Sequence, residues 1–160
     1  AGTMAAQEDM PPLVALDCEM VQLRSGKMVA ARVAMVDAAG NTVFDRYVQH
    51  DPSEVKDYHT AYSGIREADI DGSSGETVSL AVARDAVIKH ARGRILVAHN
   101  ISADLSALSL TADDFHACAD TLDTAQLDWN ERETSLRALA DELLDMPIQS
   151  AEHSPVEDAL

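Results

Sequence analysis

Residues 13–16 form a short apolar run, LVAL, that stops at Asp17, and a run of this kind predicts a buried central strand. Apolar residues dominate again at 30–36 and 42–48, on either side of Asp37-Ala38-Ala39-Gly40-Asn41. That turn-like intervening stretch predicts an antiparallel pair beside the first strand. From 50 to 75 the pattern breaks up, with Asp51-Pro52 and Gly72-Ser73-Ser74-Gly75 as punctuation, and loops are expected. Residues 77–91 read as a helix with Val78, Ala81, Val82 and Ala86 on one face, stopped by Gly93. A compact β-like run at 95–98 then passes through His99-Asn100 into a helix reaching about Leu110. Thr134 is the expected cap of a further helix, in which Leu136, Leu139, Leu143 and Leu144 recur at helical spacing until Pro147. Strands first and strand-helix units later predict a mixed α/β sheet.

Composition narrows this picture. A chain of 160 residues, 46% hydrophobic and 25% charged, has the make-up of one domain able to bury its own core. No apolar run approaches the roughly 18 residues of a membrane span, so no membrane partner is expected, and the acidic start predicts an intracellular protein of cytoplasm or nucleus. Ala1-Gly2-Thr3 ahead of Met4 reads as a cloning remnant within a tail over 1–12, leaving 13–160 as the domain. Cys18 and Cys118 have neither a disulfide framework nor zinc-site spacing, and are expected as free thiols. The net charge of −16 opposes a polyanionic partner on average. Divalent cations can reverse that sign locally.

Three acidic motifs carry the candidate chemistry. Asp17-Cys18-Glu19 follows the first apolar run, and in an extended strand its two carboxylates point to the same side of the sheet. Two hard anionic oxygens suit Mg²⁺ or Mn²⁺. Asp104 falls in the first turn of the helix after 95–98, where a carboxylate also suits the helix dipole. Neighbouring His99 and Asn100 could orient substrate or water. In His153-Ser154-Pro155-Val156-Glu157-Asp158, the S-x-x-E spacing with proline second predicts a capped helix start that carries Asp158 in its first turn. His153 lies just outside, and a histidine titrating near 6.5 can take a proton from a metal-bound water near neutral pH. Four carboxylates and one histidine from three places in the chain match the needs of a two-metal phosphodiester hydrolase.

The stretches LVALDCEMV, DYHTAYSGI, GRILVAHNISADLSAL, SLRALADELL and HSPVEDA occur in that order and span nearly the whole chain. In them the sequence resembles the DEDDh 3′-to-5′ exonucleases, in the branch of the interferon-induced exoribonuclease and the eukaryotic ribosome-processing RNA exonucleases. The resemblance implies a ribonuclease-H-like fold with a five-stranded mixed sheet flanked by helices. It also implies two Mg²⁺ or Mn²⁺ ions held by Asp17, Glu19, Asp104 and Asp158, and His153 as general base. Met20 matches a position against the terminal nucleotide, Ser63-Gly64 a loop near the substrate, and Asp120-Thr121 a pair that follows the fourth strand. The implied substrate is single-stranded RNA or DNA with a free 3′ end, RNA ahead of DNA, and the implied products are nucleoside 5′-monophosphates.

Two departures qualify the match. His59 and Ala61 stand where relatives carry arginines that reach sugar and phosphate. Only Ala159 and Leu160 follow Asp158, where relatives continue the helix for several turns. So short a helix is marginal unless tertiary packing holds it, and weak metal binding or a lost C-terminal helix is expected. The rival reading is a catalytically weak nucleic-acid or protein binding module that keeps the fold.

Overall fold

The computed structural model describes residues 10–127, 135–149 and 153–160. Its centre is a mixed sheet of β1 (Leu13–Leu23), β2 (Met28–Asp37), β3 (Thr42–Tyr47), β4 (Val55–Asp57), β5 (Ile95–Ala98) and β6 (Asp120–Asp123). The strand order is β3-β2-β1-β5-β6, with β4 pairing β1 off this path. The five-stranded path matches the expected architecture, and the three-residue β4 makes the sheet six-stranded. β1 pairs antiparallel with β2, and β1, β5 and β6 run parallel. The helices are α1 (Thr60–Ser63), α2 (Glu67–Ile70), α3 (Leu80–Ala91), α4 (Ile101–Ala107), α5 (Leu136–Leu144) and α6 (Pro155–Ala159). Among the described residues no helix is long and apolar enough to cross a membrane.

β1 extends seven residues past the apolar run that announced it, to Leu23. Alternation explains the extension: Val14, Leu16 and Cys18 enter the main core, so Asp17 and Glu19 face the other side without ending the strand. A bulge opposite Glu19 and Met20 pairs Glu19 with Arg32 but Met20 with Ala30, leaving Ala31 as the extra residue on β2. Parity on β2 therefore reverses. Val33 and Met35 pack in the main core, whereas Val29 and Ala31 join Val21, Val55, Ile65 and Ile70 in a second cluster. That second cluster gives the 50–75 segment its own core, and the stretch expected as loops carries β4, α1 and α2. Each is too short to show a period in sequence.

Further expectations need correction. α3 starts at Leu80, with Ser79 Oγ accepting from the Val82 amide at 3.3 Å, rather than at 77. Its buried face is Ala83, Val87 and Ala91, while Val82 is 51% exposed. Apolar residues encircle this helix, and the sheet takes the side that keeps residues four apart in line. α4 ends at Ala107, short of Leu110, because Ser109 turns left-handed at φ 53°. Asp120 and Thr121 come after β5, the fourth strand of the five-stranded path, and open β6. The expected Thr134 cap lies outside the described residues; the α5 cap is Ser135, whose Oγ accepts from the Ala138 amide at 3.3 Å.

The short last helix is held by packing. Pro155 and Ala159 of α6 are buried, and the helix lies against β1 and β2. Its expected capping box does not form, since the Ser154 side chain makes no cap hydrogen bond. The Glu157 carboxylate instead accepts from the Gln149 amide at 3.4 Å.

Candidate functional site

β1 supplies the first two carboxylates on the face opposite the main core, as strand geometry requires. The β1–β5 ladder covers Leu13–Ala15 and stops short of Cys18. Asp104, from the first turn of α4, takes up the free amide there: Cys18 N donates to Asp104 Oδ1 at 3.0 Å. Asp104 is only 3% exposed, and this bond fixes it beside the Asp17–Glu19 pair. α4 lacks a side-chain cap from Asn100. Asp123 of β6 caps it from outside, accepting from Asn100 N at 2.7 Å and Ile101 N at 3.2 Å.

α6 brings Asp158 to the same place. Its Oδ2 accepts from Gln149 Nε2 at 2.8 Å and lies 3.9 Å from His153 Nδ1. Among the described residues, Asp158 Oδ1 is the buried side-chain oxygen left with no hydrogen-bond partner. His153 is anchored by its main chain, whose amide donates to the Tyr62 carbonyl at 2.7 Å. Glu19, His153 and Asp158 each offer a ligand atom within 4.8 Å of one another. Asp17 and Asp104 stand outside that triplet but within its field.

The electrostatics follow from gathering carboxylates in a poorly solvated place. Burial pushes Asp17 up to about 8, with the charges of Asp104, Asp158 and Glu19 adding to the effect. Glu19 rises to about 7 through burial and the Asp158 charge, opposed by Arg32. Asp104 also rises to about 7, mainly by burial, and Asp158 is raised for the same reason. Arg32 gives little relief because it forms a two-pronged pair with Asp45, at 2.9 Å for each contact. An oxygen-rich, charge-frustrated cluster with an orphaned buried carboxylate oxygen is what a hard divalent cation would satisfy. The donor set fits Mg²⁺ or Mn²⁺.

The remaining predicted residues sit at different distances from this cluster. His99 Nδ1 bonds Thr124 Oγ1 at 2.9 Å, and that hydroxyl donates to the Ala98 carbonyl at 3.3 Å. Thr124 therefore accepts from His99, which fixes Nδ1–H and leaves Nε2 as an acceptor. Burial lowers the His99 pKa and favours this neutral ring. Met20 is half-buried and packs against the main core, on the opposite side of β1 from Glu19. The Ser63 hydroxyl is buried within its own turn, donating to the Tyr58 carbonyl at 2.7 Å and accepting from Ile65 N at 3.0 Å. Tyr62 of that turn is 70% exposed. Gln149, Thr124 and Asp123 were not foreseen, since each acts on a residue distant in sequence and none sits in a recognisable motif.

A cavity of about 440 Å³ opens beside the carboxylates. Leu13 and Ala15 of β1 and Leu136, Leu139 and Leu143 of α5 make its apolar wall, and Asp17, His99 and Asp158 its polar end. An apolar cleft with a few convergent polar groups is the usual form of a small-ligand site.

Residues 14–160 match the RNase_T exonuclease family. RNA exonuclease 4 of Gibberella zeae is 39% identical over 160 residues, covering 91% of this chain and 45% of that protein. RNA exonuclease 4 of Homo sapiens is 37% identical, covering 91% of this chain and 34% of that protein. The chain thus spans less than half the length of these curated relatives. A solved structure of the Saccharomyces cerevisiae Pan2 pseudoubiquitin hydrolase-RNA exonuclease module in complex with AAUUAA RNA superposes with a TM-score of 0.76 at 27% identity, over 98% of this chain and 28% of that one. The fold agrees with these matches, and the chain belongs to the RNase_T exonuclease family.

Proposed function

We propose that this chain is a divalent-metal-dependent 3′-to-5′ exonuclease domain that hydrolyses single-stranded RNA from a free 3′ end and releases nucleoside 5′-monophosphates. The observation that carries the proposal is the gathering of Glu19, Asp158 and His153 within 4.8 Å, with Asp17 and Asp104 in their field and one buried Asp158 oxygen left unpartnered. Asp17, Glu19 and Asp158 would hold two ions, Asp104 would complete the set, and the family's metal dependence agrees with this acidic cluster. When bound, such cations acidify a water and stabilise charge on the phosphate. Mg²⁺ and Mn²⁺ both suit the oxygen donors.

His153 is the general base. It is held at the edge of the cluster by the Tyr62 carbonyl, and about a third of its side chain is exposed to solvent. Neutral His99 presents Nε2 as an acceptor at the cleft, where it suits a sugar hydroxyl. The apolar cleft wall accommodates a base, and the scarcity of aromatics, 4% of the chain, confines recognition to the last nucleotides rather than an extended stacking platform. RNA is preferred on the strength of the named RNA exonucleases among the relatives and the RNA in the Pan2 complex.

Time-resolved gels on matched single-stranded RNA and DNA, with free and blocked 3′ ends, test this reading. Mg²⁺- or Mn²⁺-dependent laddering from the free RNA end is expected. Intact RNA and DNA under those conditions would leave the binding-module reading, which the net charge of −16 makes the natural second choice.

A further inference from the structure

Gln149 stands in a left-handed conformation at φ 54°, where a side chain with a Cβ is disfavoured and glycine is at ease. The residue before it, Ile148, is buried and pins the segment to the domain. Two bonds leave Gln149 toward α6: its main-chain amide donates to Glu157 at 3.4 Å, and its side-chain amide donates to Asp158 Oδ2 at 2.8 Å. The second bond is the shorter and reaches a carboxylate whose other oxygen is buried without a partner. Backbone strain persists where the surrounding structure holds it in place, and it is often retained at functional sites. Here the strained residue delivers one neutral donor to one oxygen of a candidate metal ligand.

We propose that Gln149 is a positioning residue for the cation: its amide engages Asp158 Oδ2 and so reserves Oδ1 as the metal-binding oxygen. The same bond serves His153. With Oδ2 already satisfied by an uncharged donor, the imidazole 3.9 Å away is not drawn into a close ion pair with Asp158 and stays available as a base. A lysine or arginine in place of Gln149 would bring a positive charge that competes with the cation, whereas an amide orients the carboxylate and leaves its charge intact. This inference rests on the reading of Asp158 as a metal ligand.

Gln149→Gly separates positioning from structure, because glycine relieves the backbone strain while removing the amide. Calorimetric titration of the metal-free proteins with Mn²⁺, beside thermal melts in chelator, is the measurement. The expected result is Mn²⁺ affinity weakened roughly 10- to 100-fold, the usual effect of losing a partner that orients a ligand, in a metal-free protein that still melts cooperatively. Unchanged affinity in Gln149→Gly would overturn the inference, and so would loss of the cooperative metal-free melt, which would make the role structural. Asp158→Asn is the reference: if it binds Mn²⁺ as the unmodified chain does, or if the unmodified chain binds none, the site reading itself fails and the inference with it.

Discussion

The main-chain amide of Cys18 donates to Asp104 Oδ1 at 3.0 Å, joining α4 to the strand that carries Asp17 and Glu19 across 86 residues of sequence. One backbone bond therefore sets the distance between the first two acidic motifs. Asp104→Asn keeps an oxygen to accept this bond and, at pH 8 where Asp104 is ionised, removes one charge from the frustrated cluster. The expected outcome is a hydrolysis rate lowered about 100-fold or more together with a higher metal-free melting temperature, by about 2–4 °C for each kcal/mol of relieved repulsion. Turnover and melting in chelator, measured on the same preparation, check both halves.

The pH dependence of the metal-free protein runs opposite to ordinary acid denaturation. Asp17, Glu19 and Asp104 hold their protons up to about 8, 7 and 7 in the folded chain, against ordinary values of 3.8, 4.5 and 3.8. Between these limits the folded state binds more protons than the unfolded one, so stability falls as pH rises from about 4 to about 8 and levels off above. Divalent cations replace those protons, so their stabilising effect is largest at the alkaline end. Melts in chelator at pH 5 and pH 8, repeated with Mn²⁺, should show a lower melting temperature at pH 8 that the metal restores.

His153 is close enough to Glu19 and Asp158 to act as a ligand, yet its anchoring through Tyr62 suits a base. The two roles separate in His153→Ala. A base contributes about 10²–10⁴-fold to rate, so kcat should fall by that factor while Mn²⁺ affinity stays near that of the unmodified chain. A parallel loss of affinity would reassign His153 to the metal.

Among the described residues three serines precede helices, and two of them, Ser79 and Ser135, cap theirs while Ser154 does not. Ser135 Oγ accepts from Ala138 N, and Ser135→Ala should cost about 1 kcal/mol. Ser154 makes no such bond, so Ser154→Ala should change stability by less than about 0.5 kcal/mol despite its S-x-x-E spacing. Denaturant unfolding of the two variants side by side would expose a hidden cap at Ser154.

Leu16 precedes Asp17 on β1 and is 1% exposed in the main core. Leu16→Ala should cost about 2–5 kcal/mol through lost burial and the cavity left behind. Because it faces away from the carboxylates, turnover per folded molecule should survive at temperatures where the variant remains folded.

Local spacing determined a good part of this protein. A period of two placed Asp17 and Glu19 on one face of β1, whichever partners the strand found, and the run at 95–98 announced β5 and the turn into α4 in the same way. The family resemblance named the candidate site residues, because the order of motifs along the chain is readable without the fold. Tertiary structure decided the rest. It chose Ala83, Val87 and Ala91 as the inner face of an evenly apolar helix, and it left the Ser154 hydroxyl unused as a cap. It brought Asp104 to Cys18, Tyr62 to His153 and Gln149 to Asp158. Each of these bonds depends on where separate elements come to rest on the sheet, and that is fixed by packing the whole core rather than by any neighbouring residues.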